Sequence, residues 1–582
     1  MDVENAYKER PWLRRYPPEV PARLTYPRIN LASWLETSAR RYPQRPATVF
    51  YGAAITYAQL YDQVRRFAGG LASLGVRPKD RVAIILPNTP QAVIAYYAAL
   101  WLGATVVMTN PLYTPRELRH QLKDADLGVA VVLDLLLARL AQVAADVGLR
   151  HVISTSIADY LPLHLRLLYP IKQAADARKA RRRAGPHQAP AGPAAFPQGV
   201  RLHRFRELLN SPPQGGPYPV DAEEHPALLQ YTGGTTGTSK GVMLTHFNLA
   251  ANCTQIEAWL YRFKGQATTV LAALPFFHVY GLTTVLNFSV MSGTTMILMP
   301  RFEAREAVKL VQRYRPKLFP GVPTMYVAIN NLPDVSRYRL DSIEACVSGA
   351  APLPPAVQET FERITGGRLI EGYGLTEASP VTHANPIWGE RRPGSIGLPW
   401  PDTEARVVDP ATGEVLPPGV VGELAVRGPQ VMKGYWRRPD ETAAVLTQDG
   451  WLLTGDLARM DEDGYFYIVD RKKDMIIAGG YNIYPREVED ALYEHPAVKE
   501  VAVVGVGDPY RGETVKAYVV LKEGQSATAD QLAAFCRERL AAYKVPRQFE
   551  FRDELPKTLV GKVLRRALRE QEAPSTAVER PA

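Results

Sequence analysis

The sequence predicts an α/β protein with more than one domain, and three observations support this prediction. Short apolar strands alternate with helical patterns from about residue 30 to 150 and again from about 226 to 385, which is typical of a parallel sheet covered by helices. From 393 to 468 the chain changes to short strands separated by Gly and Pro. The last part, from 470, has its own set of helices and strands. A chain of 582 residues is also longer than one hydrophobic core supports.

The first α/β region can be followed element by element. Helices are predicted at 33–42 and 58–74, then the strand RVAIIL at 81–86, a helix after Thr89 and the strand VAVVL at 129–133. Residues 92–108 carry no charge, but Gly103 interrupts the run and Asn110-Pro111 closes it. We therefore predict a buried helix followed by a core strand, and not a membrane span.

The later regions complete the domain prediction. Residues 180–200 are rich in Pro, Gly and Ala and are predicted to form an exposed loop. The strands within about 390–468 indicate a small β-barrel or sandwich. After residue 470 the pattern is helix, two strands, helix, strand and a last helix from Val563. The predicted domains are thus 1–469, with α/β subdomains at about 30–385 and a β-barrel at about 390–468, and 470–582.

Charge and cysteine content exclude several classes of function. Of the net charge of +10, residues 171–206 carry +8, from nine Lys or Arg and one acid. No interleaved aromatics, helix-turn-helix or zinc-finger spacing accompanies this cluster, so we expect no nucleic-acid partner. Cys253, Cys346 and Cys536 are far apart in the chain, which excludes a metal spacing or disulfide framework and fits a reducing compartment. The first residues lack the apolar core of a secretion signal.

The segment YTGGTTGTSKG, residues 231–241, is the strongest functional signal. Its glycines allow backbone amides to approach an anion, and its hydroxyls and Lys240 add donors and positive charge. A nucleotide triphosphate is the expected ligand. The segment does not match a Walker A loop, because Ser239 precedes the lysine and Gly241 follows it. The strand VMLT comes next, so we predict that the loop joins two strands.

The segment resembles the phosphate loop of the adenylate-forming superfamily, which contains acyl-CoA synthetases, nonribosomal-peptide adenylation domains and luciferases. Further motifs of that superfamily follow in order and cover nearly the whole chain: LPFFHVYG (274–281), EGYGLTEASP (371–380), GYW (434–436), LLTGDLA (452–458), DRKKDMIIAGGYNIYPREVE (470–489) and PKTLVGKVLRR (556–566). Four segments are most similar to bacterial long-chain fatty-acid CoA ligases: PWLRRYP, NPLYTPREL, PFFHVYGLT and AGGYNIYPREVE. The resemblance implies a large N-terminal domain and a small mobile C-terminal domain.

This resemblance implies ATP-dependent formation of acyl-AMP and then of acyl-CoA, with ATP, Mg²⁺ and coenzyme A as cofactors or co-substrates. Glu377 is implied to hold magnesium, Tyr373 to stack on adenine, Asp456 to bind the ribose and Arg471 to contact ribose or phosphate. Lys562 is the implied catalytic lysine, with Thr232 and Glu377. The full set of implied nucleotide-binding residues is Thr232, Gly233, Gly234, Thr235, Thr236, Gly237, Lys240, Gly349, Ala350, Ala351, Glu371, Gly372, Tyr373, Gly374, Thr376, Asp456 and Arg471.

The family also implies an acyl pocket and a coenzyme A path. In the PKTLVGKVLRR motif, Leu559-Val560 departs mildly from the family pattern, but Gly561 and Lys562 are intact. The hinge is expected at Asp470, and its rotation would withdraw Lys562 and present a glycine pair to the pantetheine arm. The acyl-pocket residues are Phe276, His278, Val279, Tyr280, Gly281 and Val322, and the coenzyme A and hinge residues are Asp470, Gly479, Gly480 and Tyr481.

Residues 160–183 place leucines and tyrosines ahead of a cationic run, a composition able to lie on an anionic membrane surface. The expected location is cytoplasmic, with peripheral contact at the inner face of the membrane as a hypothesis. Chain-length preference and a homodimer stay open. Two other functions also stay open: a fatty acyl-AMP ligase that loads a carrier protein, and a non-catalytic acyl- or nucleotide-binding protein.

Overall fold

The computed structural model describes residues 3–169, 171, 195–232, 239–478, 481–508, 511–558 and 563–572. The chain forms two compact units. The larger comprises residues 16–403 and 427–450, and the smaller comprises 1–15, 404–426 and 451–582. The mixed α/β class predicted from the sequence is confirmed, whereas the domain boundary at residue 470 stays a prediction.

An eight-stranded sheet forms the centre of the larger unit. Its neighbouring strands follow a non-sequential order: Gly434–Tyr435, Lys240–Thr245, Pro226–Thr232, Thr105–Met108, Arg81–Ile85, Val129–Leu133, His151–Thr155 and Arg201–Arg204. The strands from Pro226–Thr232 to Arg201–Arg204 are parallel, and the first two are antiparallel to their neighbours. The predicted parallel sheet is therefore present. The helix Tyr57–Ser73 precedes the first of these strands along the chain. The helices that connect later strands include Pro90–Trp101, Pro115–Ala125, Leu137–Ala141 and Phe205–Leu208.

The uncharged run forms the predicted buried helix and core strand. Thr89 caps the helix by accepting a hydrogen bond from the Ala92 backbone, and all residues of Pro90–Trp101 are buried. Gly103 has a φ of +70°, in the left-handed region that glycine enters without a steric cost, and the buried strand Thr105–Met108 follows. Within the described part of the chain, no helix has the length and hydropathy needed to cross a bilayer.

The described residues of the larger unit also form two four-stranded sheets. The first orders its strands Thr269–Ala272, Thr295–Leu298, Pro46–Phe50 and Ala53–Thr56. The second orders them Ala345–Ser348, Arg368–Gly374, Val381–Ala384 and Leu398–Pro399. The other helices of the larger unit include Ser33–Arg41, His246–Trp259, Val279–Gly281, Phe288–Ser292, Ala304–Tyr314, Pro323–Asn330, Pro355–Thr365 and Pro439–Ala443, with a π-helical turn at Leu282–Asn287.

The described residues of the smaller unit form two sheets. One has the strands Glu404–Val408, Gly422–Arg427, Leu452–Met460 and Phe466–Arg471. The other has Tyr481–Ile483, Ile476–Ala478, Gly512–Leu521 and Val498–Asp508, with Gln548–Phe551 paired to Gly512–Leu521. The helices Pro485–Tyr493, Ala529–Arg537 and Arg565–Glu572 follow the predicted order, and a short helix, Val3–Lys8, lies at the start of the chain. Val503, Val519 and Leu492 belong to the buried core of the second sheet and its helices.

Candidate nucleotide-binding site

The phosphate loop lies between two paired antiparallel strands, as predicted. Thr232 at the end of Pro226–Thr232 is opposite Lys240, the first residue of Lys240–Thr245. The Ser239 hydroxyl donates a hydrogen bond of 2.5 Å to the carbonyl oxygen of Thr232, which closes the base of the loop. The predicted phosphate ligands Gly233, Gly234, Thr235, Thr236 and Gly237 lie outside the described residues.

Lys240 lies among acidic and aromatic side chains. It forms an ion pair with Glu441, and its ammonium nitrogen is 4.9 Å from the centroid of the Tyr435 ring. About a third of its side chain is exposed, at 31%. The aromatic face and the carboxylate together orient this cation, which suits it to an anionic ligand.

Glu377 is held by the same aromatic residue. The Tyr435 hydroxyl donates to Oε1 of Glu377 at 2.8 Å, and the Met432 backbone donates to the carbonyl oxygen of Glu377 at 2.7 Å. Burial raises the pKa of Tyr435, and the adjacent Glu377 carboxylate raises it further. The phenol therefore stays protonated and can keep donating to this carboxylate.

The motifs SGAAPL and EGYGLTEAS meet at the ends of two neighbouring parallel strands. Ser348 is in register with Glu371, so Gly349, Ala350 and Ala351 follow one strand while Tyr373 and Gly374 end the other. Ligands of α/β proteins commonly bind beyond the carboxyl ends of parallel strands. Glu371 is buried and accepts a hydrogen bond from the Leu353 backbone at 3.1 Å. The geometry thus brings together two segments that the sequence assigns to one nucleotide.

Three of these positions restrict side-chain size or conformation. A Cβ atom on Gly374 would lie 2.1 Å from the Pro380 carbonyl oxygen, and one on Gly372 would lie 2.9 Å from Val347. Ala350 has a φ of +68°, in the left-handed region. Thr376 begins the short 3-10 helix Thr376–Ala378, which carries Glu377.

The predicted acyl-pocket residues pack against the same turn. The Tyr280 hydroxyl donates to the Val347 carbonyl oxygen at 2.8 Å, and a Cβ on Gly349 would lie 3.1 Å from the Tyr280 ring. His278 caps the helix Val279–Gly281 by accepting from the Tyr280 backbone. The remaining predicted acyl-pocket residues are buried: Phe276, Val279, Gly281 and Val322. A Cβ atom on Gly281 would lie 2.4 Å from the Pro275 carbonyl oxygen.

The other predicted residues belong to the smaller unit. Asp456 and Arg471 are opposite each other on paired strands, with 3.6 Å between Oδ1 and Nε. Asp470 is buried, and its carboxylate accepts hydrogen bonds from the backbones of Arg471 and Arg486. Tyr481 begins the strand Tyr481–Ile483, paired with Ile476–Ala478. Lys562, Gly479 and Gly480 lie outside the described residues.

The donor set around Glu377 fits a magnesium ion that is carried mainly by phosphates. Mg²⁺ prefers oxygen ligands and commonly takes one or two carboxylates together with substrate phosphates. Glu377 supplies one such carboxylate near Lys240, through their shared contact with Tyr435. Among the described residues no group of three or more His, Cys, Asp or Glu is arranged to hold a metal.

Four residues around the loop have no role that local sequence patterns indicate: His120, Asp124, Tyr435 and Glu441. Tyr435 lies in the GYW motif, to which the resemblance assigns no specific role. Asp124 accepts from Tyr231, and His120 contacts Ser239, but both lie on the helix Pro115–Ala125. That helix is more than 100 residues earlier in the chain, so no local pattern could have indicated them.

Comparison with known proteins agrees with this geometry. Residues 35–436 match the sequence model of the AMP-binding enzyme family, and residues 487–562 match that of the AMP-binding enzyme C-terminal domain. A long-chain-fatty-acid–CoA ligase of Bacillus subtilis (strain 168) is 50% identical over 97% of this chain and 98% of its own length. A protein of the same description from Escherichia coli O6:H1 is 40% identical over 96% and 98%.

Solved structures show the same architecture. ATP-bound MatB from Rhodopseudomonas palustris superimposes with a TM-score of 0.79 at 30% identity, over 93% of this chain and 98% of that one. The anthranilate CoA ligase AuaEII in complex with anthranoyl-AMP gives a TM-score of 0.80 at 27% identity, over 94% and 98%. The chain described here therefore belongs to the AMP-binding enzyme family.

Proposed function

We propose that the chain is an ATP-dependent fatty acyl-CoA ligase, which converts a fatty acid, ATP and coenzyme A to acyl-CoA, AMP and pyrophosphate. The observation that best supports ATP binding is the contact of Tyr435 with both Lys240 and Glu377 at the base of the phosphate loop. The fatty acid is inferred from the relatives described as long-chain-fatty-acid–CoA ligases, which align over nearly the full chain.

In the first step, a carboxylate oxygen of the fatty acid bonds to the α-phosphorus of ATP. The bond from that phosphorus to the bridging oxygen breaks, and pyrophosphate leaves with the electron pair. Negative charge on phosphoryl oxygens is stabilised by fixed cations and hydrogen-bond donors. We assign Lys240 and the loop hydroxyls, including Thr232, to the β and γ phosphates, and Lys562 to the α-phosphate and the acyl carboxylate.

The remaining nucleotide contacts are assigned from the motifs shared with the family. Tyr373 is assigned to the adenine face, Thr376 to the α-phosphate and Gly349 to Ala351 to the nucleotide and the acyl carboxyl group. Asp456 is assigned to the ribose hydroxyls, because a carboxylate accepts from both, with Arg471 beside it. Glu377 would hold Mg²⁺, which supplies charge neutralisation of the phosphates.

In the second step, the thiol sulfur of coenzyme A bonds to the acyl carbonyl carbon of acyl-AMP. The carbon–oxygen bond to AMP breaks, AMP leaves with the electron pair, and the thiol proton is released. We propose that the domain 470–582 rotates about Asp470 between the two steps. Gly479, Gly480 and Tyr481 are assigned to the pantetheine arm, since glycines leave room for a thin chain.

The acyl chain is assigned to the wall formed by Phe276, His278, Val279, Tyr280, Gly281 and Val322. These residues suit an apolar substrate, since each buried CH₂ group contributes about 0.8 kcal/mol. Tyr280 is packed against the Gly349 turn, which would place the acyl wall next to the proposed carboxyl site. A long-chain acid is therefore the expected substrate.

Release of AMP from ATP should be measured with saturated acids of increasing chain length, with acetate and benzoate as controls. We expect AMP and acyl-CoA with long-chain acids and little with either control. Formation of acyl-AMP without transfer to free coenzyme A would favour the carrier-loading alternative. The absence of acid-dependent AMP release would contradict an enzymatic function.

We also propose a cytoplasmic enzyme that contacts an anionic membrane surface through residues 160–183. The described part of this segment exposes more than half of each of four apolar side chains: Leu163 at 71%, Leu167 at 70%, Leu168 at 57% and Ile171 at 68%. The cationic run that follows lies outside the described residues. Neutralising Arg181, Arg182 and Arg183 should reduce flotation with anionic but not with neutral liposomes, and unchanged flotation would contradict the contact.

A further inference from the structure

The helix Pro115–Ala125 contacts both ends of the phosphate loop. His120 Nε2 lies 2.8 Å from the carbonyl oxygen of Ser239, after the loop. Asp124 Oδ2 accepts a hydrogen bond of 2.7 Å from the hydroxyl of Tyr231, before the loop. The two side chains are four residues apart, which places them on one face of the helix.

Asp124 has further contacts on the far side of the loop. Its Oδ1 accepts from Arg438 Nη2 at 2.7 Å, and its backbone carbonyl oxygen accepts from Trp436 Nε1 at 3.1 Å. The Trp436 backbone in turn donates to the Gly241 carbonyl oxygen at 2.7 Å. Only 12% of the Asp124 side chain is exposed. One carboxylate therefore connects the strand that enters the loop with the segment that holds the strand leaving it.

The charged contacts continue from Asp124 to the loop lysine. Arg438, paired with Asp124, lies with its Nε 3.6 Å from Glu441, and Glu441 forms the ion pair with Lys240. All of these residues belong to the larger unit. The order of alternating charges is thus Asp124, Arg438, Glu441 and Lys240.

Gly241 shows how closely the two strands pack at the base of the phosphate loop. A Cβ atom there would lie 3.1 Å from the Tyr231 ring, so the ring lies directly against the strand that leaves the loop. The Asp124 carboxylate fixes the hydroxyl end of that ring. A displaced ring would shift the pairing between Thr232 and Lys240, which are opposite each other.

We propose that Asp124 is a positioning residue for ATP: through Tyr231 and Arg438 it holds Thr232 and Lys240 in the register that binds the β and γ phosphates. Asp124 itself does not contact the substrate. A carboxylate is required because both oxygens accept and because its charge balances Arg438, whereas an amide offers one acceptor and no charge. The inference rests on the proposed function, since it concerns the same ATP site.

Measuring the two half-reactions separately distinguishes this positioning role from a general contribution to the stability of the fold. Adenylation uses the β and γ phosphates, whereas thioester formation from preformed acyl-AMP and coenzyme A does not. In Asp124→Asn we expect KM for ATP in pyrophosphate exchange to rise roughly ten-fold, as for the loss of one charged hydrogen bond. Thioester formation from acyl-AMP should stay within about two-fold of wild type, since its substrate lacks those phosphates.

Asp126→Asn is the matched control. Asp126 ends the same helix and pairs with Arg437 at 2.9 Å and Arg81 at 3.3 Å, with 59% of its side chain exposed. This variant should leave KM for ATP unchanged. An unchanged KM in Asp124→Asn, or equal losses in both half-reactions, would overturn the proposal.

A second variant tests the same hydrogen bond in case Asp124→Asn fails to fold. Tyr231→Phe removes only the hydroxyl and keeps the ring against Gly241, so it should also raise KM for ATP while sparing thioester formation. The effects of Tyr231→Phe and Asp124→Asn should not be fully additive, because both changes break the same hydrogen bond between these two residues. An unchanged KM in Tyr231→Phe, or full additivity, would overturn the proposal. If wild-type enzyme forms no acyl-AMP from any fatty acid, the proposed function fails instead.

Discussion

The hydroxyl of Tyr435 lies 2.8 Å from Oε1 of Glu377, although 58 residues separate the two along the chain. The ring of the same tyrosine lies 4.9 Å from the ammonium nitrogen of Lys240. One phenol therefore contacts both the carboxylate assigned to magnesium and the cation assigned to phosphate.

Tyr435→Phe should weaken the binding of magnesium selectively and so raise the MgCl₂ concentration needed for half-maximal activity. It removes the hydrogen bond that orients Glu377 but keeps the ring beneath Lys240. Loss of an orienting hydrogen bond next to a metal ligand costs roughly ten-fold or more in metal affinity. Titration of MgCl₂ at fixed ATP in the pyrophosphate exchange assay measures this shift, and an unchanged midpoint would argue against the role of Glu377.

Lys562→Ala should abolish adenylation while sparing thioester formation from preformed acyl-AMP. Removing one group that stabilises transition-state charge costs roughly 100-fold or more in rate. Lys557→Ala is the matched control, because Lys557 is paired with Glu500 at 2.6 Å and has no assigned role in catalysis. Full overall activity of Lys562→Ala would refute the assignment, and equal losses in both variants would indicate a structural effect.

Deprotonation of Asp470 should lower the free energy of unfolding of the smaller unit as pH rises. Burial raises its pKa to about 6, although the nearby Arg565 guanidinium acts to lower it. Because the folded state binds the proton more tightly, the free energy of unfolding falls as pH increases from about 4, the ordinary value, to about 6. Asp470→Asn removes this titration, so the melting temperature of the variant minus that of wild type should increase over this range.

The control for this pH series is Asp553→Asn, a change at an exposed carboxylate. Its melting-temperature difference from wild type should stay nearly constant between pH 4 and 6. The slope is the quantity to compare, since Asn at position 470 also places an amide near two backbone donors. A flat or opposite slope for Asp470→Asn would contradict the raised pKa.

Arg565→Leu should strongly destabilise the smaller unit. Arg565 lies 2.5 Å from Glu489, 3.3 Å from Asp474 and 3.8 Å from Asp470. Its removal leaves these largely buried carboxylates without their shared cation, which costs about 3 kcal/mol or more. Thermal unfolding checks this, with Arg565→Lys expected to lose less and the exposed Arg537→Leu nearly nothing. Equal melting temperatures for the two Leu variants would contradict the interpretation.

Local patterns in the sequence were sufficient for much of this protein. The buried helix Pro90–Trp101, the strand after Gly103 and the strands on both sides of the phosphate loop follow from hydrophobic periodicity and turn residues. The order of motifs indicated the family. These signals are readable because each depends on residues that are close together in the chain.

The contacts that orient the site were decided only by the tertiary structure. The Asp124 carboxylate meets Tyr231 across 107 residues, and Arg438 meets Asp124 across 314, because the central sheet orders its strands differently from the chain. Hydrophobic periodicity shows which face of a strand or helix is buried, but not which distant side chain lies opposite it. Strand order and register make that choice, and they depend on the packing of the whole unit.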